Sequence, residues 1–137
     1  MDILHEEAGT NGYGSGRYML RFQPNGTSTP KLVNGNYITS VTYSGTGTGV
    51  YLVNFASTFN GSLLFMTFGK QSNSGGPAEG FTFEVDNAQT NLTPTTGGAV
   101  VAIAGVNASG SRATIANDAN TMVFIELVFS FNTTLVP

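Results

Sequence analysis

From residue 121 to residue 131, apolar residues first recur at every second position and then fill in between. Val123, Ile125, Leu127, Phe129 and Phe131 fall on one face, while Met122, Phe124 and Val128 share the other with Glu126 and Ser130. Successive side chains of a strand point to opposite faces, so the run predicts a strand that has to be covered on both sides. The protein's own core supplies one cover. A second sheet or another subunit supplies the other, which makes Met122, Phe124 and Val128 candidate docking or self-association residues.

The same period recurs upstream. Residues 17–22 predict a strand with Tyr18, Leu20 and Phe22 on one side and Arg17, Met19 and Arg21 on the other, closed by the turn residues Gln23, Pro24, Asn25 and Gly26. Residues 30–35 form a short edge-like piece. Residues 37–43 and 50–55 form a hairpin with Tyr37, Val41 and Tyr43 inward on one arm and Tyr51, Val53 and Phe55 inward on the other. The glycines at 45, 47 and 49 allow the reversal between them. Residues 62–68 place Leu64, Met66 and Phe68 on one face and Leu63 and Phe65 on the other, a second strand expected to be buried on both sides. Residues 81–86 alternate most cleanly, with Phe81, Phe83 and Val85 inward and Thr82, Glu84 and Asp86 outward. Two short strands, 99–104 and 111–116, precede the last one.

Eight or nine short strands, joined by Gly, Asn, Ser and Thr turns and with no helical period beyond the first seven residues, predict an all-β fold: an antiparallel, jelly-roll-like β-sandwich. Strand order is not encoded in periodicity. The domain reading is a flexible, Gly-rich N-terminal arm over residues 1–16 and one sandwich over residues 17–137. In the arm, Ile3 and Leu4 are apolar anchors on an acidic, helix-capable head. The glycines at 9, 12, 14 and 16 form a tether that could carry that head to a neighbouring subunit.

Composition narrows the chemistry. The 137 residues are enough for one domain with a real core. With no cysteine, disulfides, thiolate metal sites and cysteine nucleophiles are excluded. Charged residues are 9% of the chain, against ~25% in an ordinary soluble domain. A surface of hydroxyls and amides suits close packing on several sides. The five basic residues are scattered and the net charge is -3, so direct nucleic-acid binding has no electrostatic footprint. No apolar stretch approaches the ~20 residues of a membrane span, and the acidic start lacks a secretory apolar region.

Candidate catalytic groups are few. Glu84 and Asp86 share a strand face at the ~7 Å spacing that a pair of glycosidase acids could use, yet a solvated strand face also needs polar residues. His5 is the only histidine, and it sits in the arm without a scaffold to hold it against an acid. The run Gly45, Thr46, Gly47, Thr48, Gly49 precedes a strand rather than a helix and is read as a turn, not a phosphate loop. Asp118 and Asn120 have the spacing that opens a calcium loop, but Met122 and Val123 stand where further ligands are needed. The tyrosines of the hairpin match core positions better than a sugar-stacking platform. Five Asn-x-Ser/Thr triplets are expected in a chain so rich in these residues. No enzyme, cofactor or metal is expected.

One resemblance adds to this. The stretch from 17 to 70 resembles small virion proteins of tailed bacteriophages. The likeness lies in the aromatic strand with Tyr18 and Phe22, the 30–35 segment, and the Gly-turn hairpin that joins residues 38–45 to 49–55. The low charge and the Asn, Thr and Gly surface are similar to capsid decoration (cement) proteins, and equally to parts of phage fibres. The resemblance implies a non-enzymatic virion protein, made in the host cytoplasm and located on the capsid surface. Its partners would be the major capsid protein and copies of itself, as a homotrimer suited to the symmetry axes of an icosahedral shell, with no direct nucleic acid and no membrane. The alternative is a fibre-tip or lectin-like glycan-binding module.

Overall fold

A computed structural model describes residues 14–72, 80–115 and 121–131. Ile3, Leu4, His5 and the Asp118 and Asn120 pair lie outside the described residues. Among the described residues there are eight strands: β1 (Gly14–Gln23), β2 (Lys31–Gly35), β3 (Ile38–Tyr43), β4 (Val50–Phe55), β5 (Gly61–Ser72), β6 (Phe81–Val85), β7 (Val100–Asn107) and β8 (Thr121–Phe131). They form two antiparallel four-stranded sheets, one in the order β2-β1-β8-β5 and the other β3-β4-β7-β6. The chain changes sheet after β2, β4, β5 and β7. The distant pairs β1·β8 and β4·β7 are nested one inside the other, and the hairpins β1·β2, β3·β4 and β6·β7 each stay within one sheet, so the two sheets form a sandwich without the strand pairing of a jelly roll.

The inward faces are those the alternation predicts. Tyr18, Leu20 and Phe22 from β1 and Val123, Ile125, Leu127, Phe129 and Phe131 from β8 are buried against Tyr51, Val53, Val101 and Ile103 of the facing sheet. Aromatic rings fill one end, where Phe129 lies 5.5 Å from Tyr18 and 4.9 Å from Phe59, centroid to centroid. Edge-to-face and tilted ring pairs of this kind add ~0.5–1.5 kcal/mol each beyond area burial.

Four further expectations change. The first strand begins at Gly14, inside the segment assigned to the arm: Gly14 and Gly16 pair with Phe131 and Phe129 of β8. Gly16 is small for a packing reason, since a Cβ there would lie 2.6 Å from the Phe131 ring. Tyr37 is not an inward strand residue. It precedes β3 with φ 61, is 41% exposed, and meets the Tyr18 ring edge-to-face at 5.8 Å. The segment 111–115 forms no strand, only an isolated bridge from Arg112 to Val106. It does supply Ile115 to the core, and the Ala113 carbonyl occupies the space that a Cβ at Gly49 would need.

The fourth change concerns β5. A bulge between Leu63 and Phe65 shifts its register on β8, so that Phe65 pairs with Val128, Met66 with Leu127 and Phe68 with Ile125. An extra residue in a strand exchanges its faces beyond that point. Leu63 and Met66 therefore both pack against the core, while Leu64 and Phe65 are 55% and 48% exposed. β5 is an edge strand and is not buried on both sides.

Candidate functional site

The outward face of the β2-β1-β8-β5 sheet is the most unusual surface of the molecule. Pairing sets its rows: Arg17, Val128 and Phe65 lie side by side, then Met19, Glu126 and Thr67, then Arg21, Phe124 and Gly69. Met19 is 59% exposed and Phe124 37%. Gly69 places no side chain beside Phe124, and a Cβ there would meet open space. The result is an open trough of about 650 Å³ running across all four strands, with Met19, Phe124, Thr67 and Asn34 among its walls.

Its polar groups are largely committed. Glu126 bonds the Arg17 guanidinium at 3.2 Å and accepts from the Thr67 hydroxyl at 3.3 Å. The Asn36 side-chain carbonyl accepts the Met19 N–H at 2.9 Å, continuing the pairing beyond the end of β2. Arg21 borders the trough.

Of the residues singled out in the sequence, β8 brings Met122, Phe124 and Val128 to this face. They differ in availability: Phe124 is exposed, Met122 is half-buried, and Val128 is only 7% exposed between its neighbours Arg17 and Phe65. Sequence reasoning assigned Met19 to this side but did not single it out. It also missed Leu64 and Phe65, because the bulge that turns them outward leaves no mark on the alternation.

Glu84 and Asp86, the candidate acid pair, are brought together around one cation. Arg112 donates from Nε to Glu84 at 2.8 Å and from Nη1 to Asp86 at 2.9 Å. Asp86 follows the end of β6, and instead of facing solvent it is buried, also accepting the Ala88 N–H at 2.9 Å and the Gln89 amide at 3.3 Å. Burial pushes its carboxyl up, but the Arg112 guanidinium and the other two donors outweigh that and hold it below the ordinary value of 3.8. The two acids in turn raise Arg112. An acid held ionised by a fixed guanidinium does not deliver a proton to a leaving group near neutral pH, so Asp86 is unsuited to the general-acid role, and the arrangement joins Glu84, Asp86 and Arg112 in one clamp.

The clamp belongs to a polar strap. Gln89 donates to the Thr46 carbonyl at 2.7 Å and accepts from the Ser44 hydroxyl at 2.6 Å. The strap thereby links the loop after β6, at one edge of its sheet, to the loop after β3, at the opposite edge. Three of the tyrosines are packed into the structure. Tyr18 and Tyr51 are fully buried, and Tyr43 packs its ring 5.4 Å from Tyr51 and shares a hydrogen bond with Thr114. Burial pushes the Tyr51 hydroxyl up to about 12. Among the described residues, no group of three or more His, Cys, Asp or Glu side chains is placed to hold a metal ion.

Comparison with known proteins finds no matching family model, no similar characterised protein and no similar solved structure.

Proposed function

We propose that this chain is a non-enzymatic structural protein that works by self-association and by coating a larger particle. The resemblance of residues 17–70 to phage virion proteins makes that particle a tailed-phage capsid, with the major capsid protein as the surface beneath. The observation that carries the reading is the outward face of the β2-β1-β8-β5 sheet, which holds Met19, Phe124, Leu64 and Phe65, four of the seven exposed large hydrophobic residues among those described. Exposed apolar side chains gathered on one sheet face support a contact surface. A low-charge surface of Asn, Thr, Ser and Gly adds support, since it carries few of the lysines and glutamates that interface cores disfavour.

The decisive measurement is the copy number of the protein in purified particles, together with its sedimentation in solution. Many copies on each capsid and an oligomer at tens of micromolar are expected. A monomer that is absent from particles defeats the reading. A few copies confined to the tail would favour a fibre-tip, glycan-binding module instead, for which Phe124 and Asn34 at the rim of the trough would be the contact groups, and a glycan array is its test.

A further inference from the structure

One row of side chains crosses the whole trough. Asn34, Arg21, Phe124 and Gly69 lie abreast on β2, β1, β8 and β5, a line of roughly 14 Å at ~4.8 Å between strands. Phe124 is exposed within it, and a Cβ at Gly69 would meet nothing within 4 Å, so the ring does not close over the glycine and the place beside it stays open. Gly69 is not among the glycines with positive φ. Neither its backbone nor its packing calls for glycine, and a glycine inside a strand often marks a place where a ligand or another backbone comes close. The polar groups left over here are donors. Arg17 is paired with Glu126, Arg112 with Glu84 and Asp86, and Lys70 lies over the Phe81 ring, whereas the Arg21 guanidinium has no carboxylate or hydrogen-bond partner among the described residues. Asn34 likewise has none among them, and Asn36 spends its side-chain carbonyl on the Met19 N–H, leaving its amide nitrogen to donate. Because Arg17 offsets Glu126, the uncompensated charge of the trough is that of Arg21.

We propose that this trough binds an acidic sugar, a pyranose that carries a carboxylate, as the uronic acid residues of an acidic polysaccharide do. The inference goes beyond the coating role and names the ligand chemistry of the glycan-binding alternative, on which it rests. A pyranose has an apolar C–H face and a rim of hydroxyls. Phe124 and the open place at Gly69 take the face, while Asn34, Asn36 and Thr67 stand around them for the hydroxyls. Arg21 takes the carboxylate, because a guanidinium is a planar fork of donors that fits one bidentately. An apolar floor with a few placed polar groups is the usual composition of a small-ligand site. The groups are also held in place: Arg21, Asn34, Thr67 and Phe124 sit on paired strands, and Asn36 is tied to Met19. An extended peptide fits this surface less well. Peptides are held through main-chain hydrogen bonds at a sheet edge, and a sheet face offers only side chains.

Isothermal titration calorimetry of the full-length protein with trimers of galacturonate, mannuronate and guluronate tests the site. At least one trimer should bind, and its methyl ester should bind roughly tenfold more weakly for want of the charge-assisted bonds to Arg21. Added salt should weaken the acid and leave the ester unchanged. Arg21→Gln, at an exposed position, should erase the preference for acid over ester. Gly69→Ile should abolish binding of both with no fall in thermal midpoint, since a β-branched side chain suits a strand and has open space there. Phe124→Ala should weaken both. Equal binding of acid and ester, equal binding of a tetraglutamate peptide, or binding that survives Gly69→Ile would each overturn the acidic-sugar site. Failure of every trimer to bind would overturn it as well, and a blank glycan array besides would remove the glycan-binding alternative. Copy number and sedimentation test the coating role separately.

Discussion

The two outward faces of the sandwich are finished in opposite ways. On the β3-β4-β7-β6 sheet the outward residues at the centre are small: Val50, Ala102 and Ala104 form a second cluster with no exposure, and Leu52 packs against it. The chain's own polar strap, from Asp86 and Gln89 to Ser44 and Thr46, ties together the loops that follow this sheet's two edge strands, and Arg112 clamps its acids. On the β2-β1-β8-β5 sheet the outward residues are larger, and Met19, Phe124 and Phe65 remain exposed. A face that the chain can cover itself needs only small side chains. Large apolar side chains left uncovered cost solubility, and the proposed self-association would cover them.

The most disruptive test sets the two sides of one strand against each other. Phe129→Ala, on the inward side of β8 and packed on Tyr18 and Phe59, should cost ~3–5 kcal/mol by chemical denaturation. Phe124→Ser, on the outward side, should change folding stability by no more than about 0.5 kcal/mol. It should instead weaken self-association, as sedimentation would register. Equal unfolding midpoints for wild type and Phe129→Ala would mean the faces are reversed.

Next in size is the clamp on the covered sheet. Arg112→Ala leaves the buried Asp86 carboxylate without its strongest partner and should cost about 1–3 kcal/mol, with little change in oligomeric state. The pH dependence has a definite sign. The Asp86 carboxyl is held below 3.8 in the folded protein, so its contribution is present above that pH and is lost as pH falls through the lowered value. Arg112→Ala should flatten that part of the acid-unfolding curve.

Tyr51 gives the alkaline counterpart. Its hydroxyl is raised from 10.0 to about 12, so stability should hold up to pH 10 and decline between pH 10 and about 12 as the unfolded chain ionises first. Tyr51→Phe should remove that decline, apart from the loss of the hydrogen bond to the Gly26 carbonyl. The smallest effect is expected from Glu84→Gln. The half-exposed ion pair with Arg112 is worth at most ~1 kcal/mol, and Arg112 keeps Asp86. A loss as large as that of Arg112→Ala would show that Glu84, not Asp86, anchors the strap.

The sequence by itself determined the all-β class and most of the core, because period-two alternation reports which side of a strand is apolar without reference to any partner. β1, β4, β6 and β8 carry their inward residues where the pattern puts them, from Tyr18 to Phe131. It also brought Met122, Phe124 and Val128 to one outward face, though not the burial of Val128 by its cross-strand neighbours. Tertiary structure alone decided the rest. Strand order and the nesting of β1·β8 and β4·β7 depend on long-range pairing, which leaves no local trace. The bulge at Leu64 depends on fitting β5 to β8, and one inserted residue exchanges the faces of everything after it. Asp86 reads as an exposed strand residue in sequence, but it becomes a buried anion because Arg112, 26 residues away, is folded back onto it. Alternation measures burial at one residue, whereas the trough, the outward turn of Leu64 and Phe65 in β5 and the clamp each arise where segments distant in sequence meet.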